Sequence, residues 1–170
     1  MRHHVRRKDR EIEDPAKLAG VLREARYVTL ALSRENVPYL VSLSHSYDAD
    51  AGCLYFHCAA EGKKLDFMKA NPRVWGQAIL DRGYVDGECN HLFVTVMFDG
   101  KVELVEDMAG KRRIMSHMFA GQQRSPAAGG GGDVDPHVAR IRQDGELKGT
   151  TVGRILLGQL TGKHSKGAEY

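Results

Sequence analysis

The segment "FHCAAEGKKLDFMKANP", Phe56 to Pro72, holds the residues of this sequence with the clearest chemical potential. A short apolar stretch leads into a Glu-Gly turn, two lysines follow, and the spacing predicts a helix that ends at Asn-Pro. The first turn of a helix has unpaired backbone N–H groups and a partial positive charge, so lysines there are unfavourable unless an anion is bound. Gly62, Lys63 and Lys64 therefore predict a phosphate-binding turn, with a basic surface helix as the alternative.

A second polar pattern lies upstream, in the strand predicted for "YLVSLSHSY", Tyr39 to Tyr47. Side chains alternate between the two faces of a strand. The two sets are Ser42, Ser44 and Ser46 on one face and Val41, Leu43 and His45 on the other. The serine face either meets solvent or forms a polar wall against a planar ligand, and the residues alone leave both open.

The elements that must position these residues are mostly strands. Hydrophobic patterning predicts strands at about 27–33, 39–47, 53–58, 73–80, 91–106 and 150–160, and helices at about 15–25, 62–70 and 107–121. Because the strands follow one another without regular βαβ alternation, they predict a mainly β fold: a small antiparallel barrel or sandwich with flanking helices. We expect one domain over residues 1–170, with a mobile Gly-rich loop at about 122–136.

Composition narrows the class of protein. The formal net charge of +3 gives no whole-molecule field for nucleic acid, and no apolar run reaches the roughly 18 residues of a membrane span. The three cysteines form no Cys-x-x-Cys pair, and the histidines show no metal-ligand spacing. We therefore expect a cytoplasmic protein with free thiols and no bound metal, which acts on neither nucleic acid nor membrane.

Six blocks of sequence carry a resemblance to a known family. They are "RRKDREI" from Arg6, "ARYVTLAL" from Ala25, "PYLVSLSHSYD" from Pro38, "LYFHCAAEGKKLDFMKANPRV" from Leu54, "VTVMFDGKVELVED" from Val94 and "RILLGQLTGK" from Arg154. In these blocks the chain resembles the pyridoxamine 5'-phosphate oxidase-related flavoproteins, the FMN-binding split-barrel family, and within it the nitroimidazole-resistance branch. The resemblance implies an antiparallel FMN-binding split β-barrel that works as a homodimer, with FMN at the subunit interface.

The resemblance also implies which residues bind FMN. They are Val41, Ser42, Leu43, Ser44 and His45 along the edge of the flavin ring, His57 and Cys58 at the end of the next strand, and Gly62, Lys63 and Lys64 at the phosphate. Flavin needs most of its surface buried, and a small barrel offers only a shallow groove. Further candidates that line the groove from either subunit are Gln77, Phe93 and Thr95, together with Trp75.

The function that these expectations favour is an FMN-dependent oxidoreductase that passes electrons to a small nitroimidazole- or quinone-like acceptor. His57 is the expected catalytic residue, because an imidazole beside a flavin can donate a proton to a reduced substrate. The alternatives are a flavin- or heme-binding protein without turnover and a barrel that has lost its ligand. Pyridoxamine phosphate oxidases carry an arginine and a lysine where this chain has Leu40 and His45, so the resemblance leaves the substrate open.

Overall fold

The fold is an antiparallel β-structure with three flanking α-helices, seen in a computed structural model that describes residues 5–122, 147–168 and 170. The strands are β1 (Glu11–Ile12), β2 (Tyr27–Arg34), β3 (Val37–Ser44), β4 (Ser46–Asp48), β5 (Cys53–Ala59), β6 (Arg73–Tyr84), β7 (His91–Val105) and β8 (Thr150–His164). The helices are α1 (Pro15–Glu24), α2 (Lys63–Ala70) and α3 (Met108–Gln122). Every strand pairing in the described ranges is antiparallel, which confirms the predicted fold class.

The sheet closes into a barrel through the chain itself. Its strand order is β3-β2-β6-β7-β8-β5-β4, with β1 added beside β8. The two ends of this order, β3 and β4, are neighbours in sequence and are separated only by His45. The sheet must therefore curve until its ends meet. Because β3 pairs with β2 alone among the described strands, its other edge carries no strand ladder.

The predicted strand from Tyr39 to Tyr47 was wrong in one respect, because it breaks at His45. The ring of His45 turns towards α1, and its Nε2 lies 2.8 Å from the carbonyl oxygen of Leu22. A carbonyl oxygen only accepts, so Nε2 carries the hydrogen and donates to an otherwise unpaired carbonyl in the last turn of α1. This contact ties the barrel corner to the helix.

The other boundaries differ from prediction by a few residues. The predicted loop at 81–90 begins later, because β6 continues to Tyr84 with an irregular register between Asp81 and Tyr84. The predicted Gly-rich loop at 122–136 lies outside the described residues apart from Gln122, which ends α3. In the described ranges no helix is both long and apolar enough to cross a membrane.

Two apolar clusters hold the elements together. The larger fills the barrel and is centred on fully buried side chains such as Phe56, Phe98 and Leu30. The smaller lies outside the barrel, where Ile114, Met115 and Met118 of α3 pack against β5 and β8. The two faces of β5 are therefore both covered, one by the barrel core and the other by α3.

The His45 corner predicts a loss of stability in mild acid. Burial lowers the pKa of His45, and the hydrogen bond to Leu22 only partly offsets this. The unfolded chain therefore takes up a proton near its ordinary pKa of about 6.5, while the folded chain takes it up only at a lower pH. The free energy of unfolding should fall as pH drops below about 6.5, with a slope of at most about 1.4 kcal/mol per pH unit from this residue.

Urea unfolding of wild type and His45→Phe across pH 5–8 checks this expectation. The variant should lose about 1 kcal/mol at neutral pH, with the bond to Leu22, and should show a flatter slope below pH 6.5. His91→Phe is the control, because His91 is exposed on the surface. Equal slopes in wild type and His45→Phe would show that the corner does not set the acid stability.

Candidate functional site

The turn that begins α2 has an unusual backbone conformation. Gly62 precedes the helix with φ 132° and ψ 163°, a conformation essentially restricted to glycine. No side chain caps the helix, and a Cβ placed on Gly62 would meet nothing within 4 Å. In the described part of the chain, no backbone carbonyl accepts from the amides of Lys63 and Lys64. The turn therefore presents open backbone donors beside two cations.

Lys63 connects this turn to the barrel. Its Nζ lies 4.7 Å from the ring centroid of Tyr39 on β3 and 5.7 Å from that of Phe67 on α2. The two rings themselves lie 5.1 Å apart. Cation–π attraction to two aromatic faces holds the ammonium group beside β3 in the absence of an anion. Neither Tyr39 nor Phe67 was predicted as a site residue, because no local sequence pattern indicates contact between residues that are 28 positions apart.

The edge of β3 carries the other predicted residues of this region. Ser42 and Ser44 are exposed and Leu43 is buried, which confirms the predicted alternation. The Ser42 hydroxyl lies 3.0 Å from that of Thr29 on β2. Ser46 does not extend the serine face, because it lies beyond the corner and its hydroxyl bonds Nδ1 of His117 on α3 at 2.6 Å. The polar wall therefore ends at Ser44.

His57 and Cys58 point to opposite sides of β5. Cys58 packs against the barrel core, whereas the alternation puts His57 on the face of Tyr55, which α3 covers. Burial raises the pKa of the Cys58 thiol, although the nearby Lys64 ammonium group acts in the opposite direction. Cys58 is therefore a neutral thiol at pH 7 and no nucleophile. Only Cys58 lies on the side of the lysines.

Gln77, Phe93 and Thr95 lie together on the outer face of the sheet, away from the lysine turn. The Gln77 amide donates to the Thr95 hydroxyl at 3.0 Å, and that hydroxyl donates to the carbonyl of Ala78 at 2.9 Å. The Phe93 amide donates to the Ser165 hydroxyl at 2.9 Å. Thr95 thus fixes the orientation of Gln77, which lines a shallow groove of about 620 Å³. Within one chain these residues do not join the lysine turn.

Other proteins share this fold. The chain is similar in structure to a candidate 5-nitroimidazole antibiotic resistance protein from Bacteroides thetaiotaomicron (23% identity, 96% of each chain covered, TM-score 0.69). It is also similar to an FAD-binding protein from Mesorhizobium loti (23% identity, 91% of this chain and 96% of that chain, TM-score 0.63). A third structure is the FAD and heme binding protein from Mycobacterium smegmatis (14% identity, 95% of this chain and 76% of that chain, TM-score 0.70). At these identities the likeness establishes the fold alone.

Sequence comparison identifies the family. No curated protein matches the chain. The profile of the family described as pyridoxamine 5'-phosphate oxidase matches residues 14–164, which include all eleven strands and helices except β1. Because this match covers most of the 170 residues, the chain belongs to the pyridoxamine 5'-phosphate oxidase family.

Proposed function

We propose that this protein binds FMN, with the flavin phosphate in the turn formed by Gly62, Lys63 and Lys64. The observation that carries the proposal is the 4.7 Å contact between Lys63 Nζ and the Tyr39 ring. It places Lys63, in the turn with the open backbone donors, against a side chain of β3, the strand whose other edge carries no ladder among the described strands. FMN carries both a phosphate and a planar ring. The α2 turn suits the phosphate and β3 suits the ring, and the two elements are in contact through Lys63 and Tyr39. Family membership and the flavin-binding structural relatives support the same ligand class.

The residues present fit a flavin phosphate. Lys63 and Lys64 supply two ammonium groups, and their amides supply two further donors at the positive end of α2. Each charge-assisted hydrogen bond contributes about 1.5–3 kcal/mol. Val41, Ser42, Leu43 and Ser44 offer the backbone groups of the β3 edge to the ring. His45 adds a buried Nδ1 acceptor that has no hydrogen-bond partner among the described residues.

The proposed assembly is a homodimer with FMN at the subunit interface. Large apolar side chains are exposed together on the outer face of the sheet. They are Tyr27 (60% exposed), Leu40 (67%), Trp75 (40%), Ile79 (52%) and Met97 (43%). Leu40 and Trp75 both lie in register with Ala31, which makes the apolar surface continuous across β3, β2 and β6. Such faces are rare on monomers. A second copy can also bring its Gln77, Phe93 and Thr95 to the flavin.

The proposed activity is electron transfer to a small organic acceptor of the nitroimidazole or quinone type, in the cytoplasm. A bound flavin supplies the redox chemistry, and the protein supplies orientation and proton transfer. His57 is the group proposed to hold or donate the proton through its imidazole, although its side chain lies on the α3-covered face of β5 and not on the side of the lysine turn. The alternative is a flavin- or heme-binding protein without turnover, for storage, sensing or electron relay.

Removal of the two lysines tests the phosphate assignment. Lys63→Ala/Lys64→Ala should weaken FMN about a hundredfold or more, because at least two charge-assisted bonds are lost. Riboflavin lacks the phosphate, so its affinity should change less than about threefold. Isothermal titration of the apoprotein with both ligands measures the difference. Lys69→Ala is the matched control, because Lys69 is exposed in the last turn of the same helix. An equal loss for FMN and riboflavin would remove the phosphate from this turn.

A substitution of His57 tests the catalytic role separately. His57→Asn should retain FMN and the dimer, yet slow the oxidation of the reduced protein by a nitroaromatic or quinone about a hundredfold, since a proton donor is lost. The pH dependence of this rate near neutrality should disappear with it. Stopped-flow measurements from pH 5 to 9 record both effects. If the variant reacts at the wild-type rate throughout this range, His57 has a structural role only.

A further inference from the structure

A cluster of polar side chains lies where α3 packs against β4 and β5. Ser46 and Asp48 are two positions apart on β4, and Ser46 pairs with Tyr55 of β5 in the sheet register. Residues two apart on a strand share a face, and so do residues directly opposite each other on neighbouring strands. These three side chains therefore lie on one face of the sheet. His117 of α3 contacts that face, because its ring lies edge-on to the Tyr55 ring with 5.1 Å between the centroids.

The Ser46 hydroxyl and the His117 imidazole form a hydrogen-bonded pair. The Ser46 Oγ lies 2.6 Å from Nδ1 of His117, and Nε2 of the same ring lies 3.9 Å from Oδ2 of Asp48. A neutral imidazole carries its hydrogen on one nitrogen, and the nearby carboxylate favours that hydrogen on Nε2. Nδ1 is then an acceptor, and the Ser46 hydroxyl donates to it. In this arrangement a histidine can remove the proton of a serine that acts as a nucleophile.

Asp48 is fixed in position and stays ionised. Its Oδ1 accepts a hydrogen bond from the Ala51 amide and its Oδ2 accepts one from the Tyr55 hydroxyl, both at 3.0 Å. The bond from the Ala51 amide contributes most to lowering the pKa of the Asp48 carboxyl. Burial raises the pKa of the Tyr55 hydroxyl, which therefore remains a donor. The fixed negative charge stabilises the imidazolium that His117 becomes when it takes up a proton.

The cluster is open to solvent and lies apart from the proposed flavin site and dimer face. The His117 side chain is 38% exposed, and Ser46 is half-buried. Ser46 follows His45 in the chain, but the His45 ring turns towards α1 while the Ser46 hydroxyl turns towards α3. On β5, Cys58 lies on the side of the lysine turn and packs against the barrel core, on the opposite face of the sheet. The exposed apolar side chains of the proposed dimer face lie on β2, β3, β6 and β7.

From this geometry we propose that Ser46, activated by His117 and oriented through Asp48, is a nucleophile that hydrolyses small carboxylic esters. The Ser46 Oγ bonds to the ester carbonyl carbon while its proton passes to Nδ1 of His117. The bond from this carbon to the alcohol oxygen breaks, and the alcohol leaves with that proton, so that the acyl group stays on Ser46. Water then attacks the acyl carbon and gives a proton to Nδ1. The acid leaves as Ser46 recovers this proton, and the sum is ester plus water to acid plus alcohol.

Labelling with an alkyl fluorophosphonate tests the proposal, because this reagent bonds to an activated serine and releases fluoride. The wild-type protein, both FMN-loaded and FMN-free, should gain the mass of one phosphonyl group on the peptide that contains Ser46, and Ser46→Ala should not. His117→Gln keeps a hydrogen-bonding side chain but cannot take up the proton, so it should slow labelling and the hydrolysis of nitrophenyl acetate about a hundredfold. Ser116→Ala is the control, because Ser116 is exposed beside His117 on α3. Both rates should be unchanged in it.

Four results would overturn the proposal. Absence of the label in the wild-type protein, which needs no variant to fold, would show that the hydrogen bond between Ser46 and His117 only anchors α3 to β4. A label that persists in Ser46→Ala would place the nucleophile elsewhere. An unchanged rate in His117→Gln would show that the imidazole is not the base. Labelling of the FMN-free protein alone would assign Ser46 to the flavin site. The FMN and riboflavin comparison is measured without the ester or the phosphonate, so the two proposals fail independently.

Discussion

The closure of the barrel at His45 is the constraint on which the site depends. Strands β3 and β4 stand at the two ends of the sheet order and yet follow one another in the chain. Consecutive segments joined by one residue cannot fold back and pair with each other, so the barrel closes by covalent continuity instead of a ladder. One edge of β3 therefore keeps its backbone donors and acceptors. A protein normally protects such an edge. Here the Lys63 ammonium group of α2 lies against the ring of Tyr39 on the same strand.

The contacts of Lys63 and the conformation of Gly62 explain why the α2 turn tolerates two lysines. The helix dipole and the unpaired amides already make the turn positive, so the free protein holds unfavourable charge there. Lys63 gains contact with the faces of Tyr39 and Phe67, which lowers that unfavourable energy without neutralising it. Gly62 provides a conformation that other residues adopt only with strain, and it leaves the space in front of the amides open. A bound dianion removes the remaining repulsion, which is the physical basis of the proposed phosphate site.

Much of the fold followed from local patterns in the sequence. Alternation along β3 predicted that Ser42 and Ser44 share one face and that Leu43 lies on the other, which the structure shows. The break at His45 was not predictable, because it depends on a carbonyl of α1 that is 23 residues away in sequence. Local apolar patterning does not record such a contact.

The basic turn of the candidate site was visible in the sequence, but its surroundings were not. The glycine and two lysines are contiguous, so their combined effect is visible in the sequence. The aromatic support from Tyr39 and the end of the β2–β6 ladder at Ala31 and Trp75 arise from contacts between elements that are far apart in the sequence. Register between distant strands decides these features, and register is a property of the folded sheet.

Size-exclusion chromatography of the purified protein, with in-line absorbance and light scattering, tests the proposed flavin-binding homodimer most directly. We expect the visible absorption bands of oxidised flavin in a peak with twice the 18.9 kDa mass of the chain. We also expect the released cofactor to run as FMN on chromatography. A Soret band would indicate heme, and a colourless protein that takes up no added FMN would indicate a barrel without a cofactor. Either result, or flavin bound to a particle of 18.9 kDa, would contradict the proposed FMN-binding homodimer.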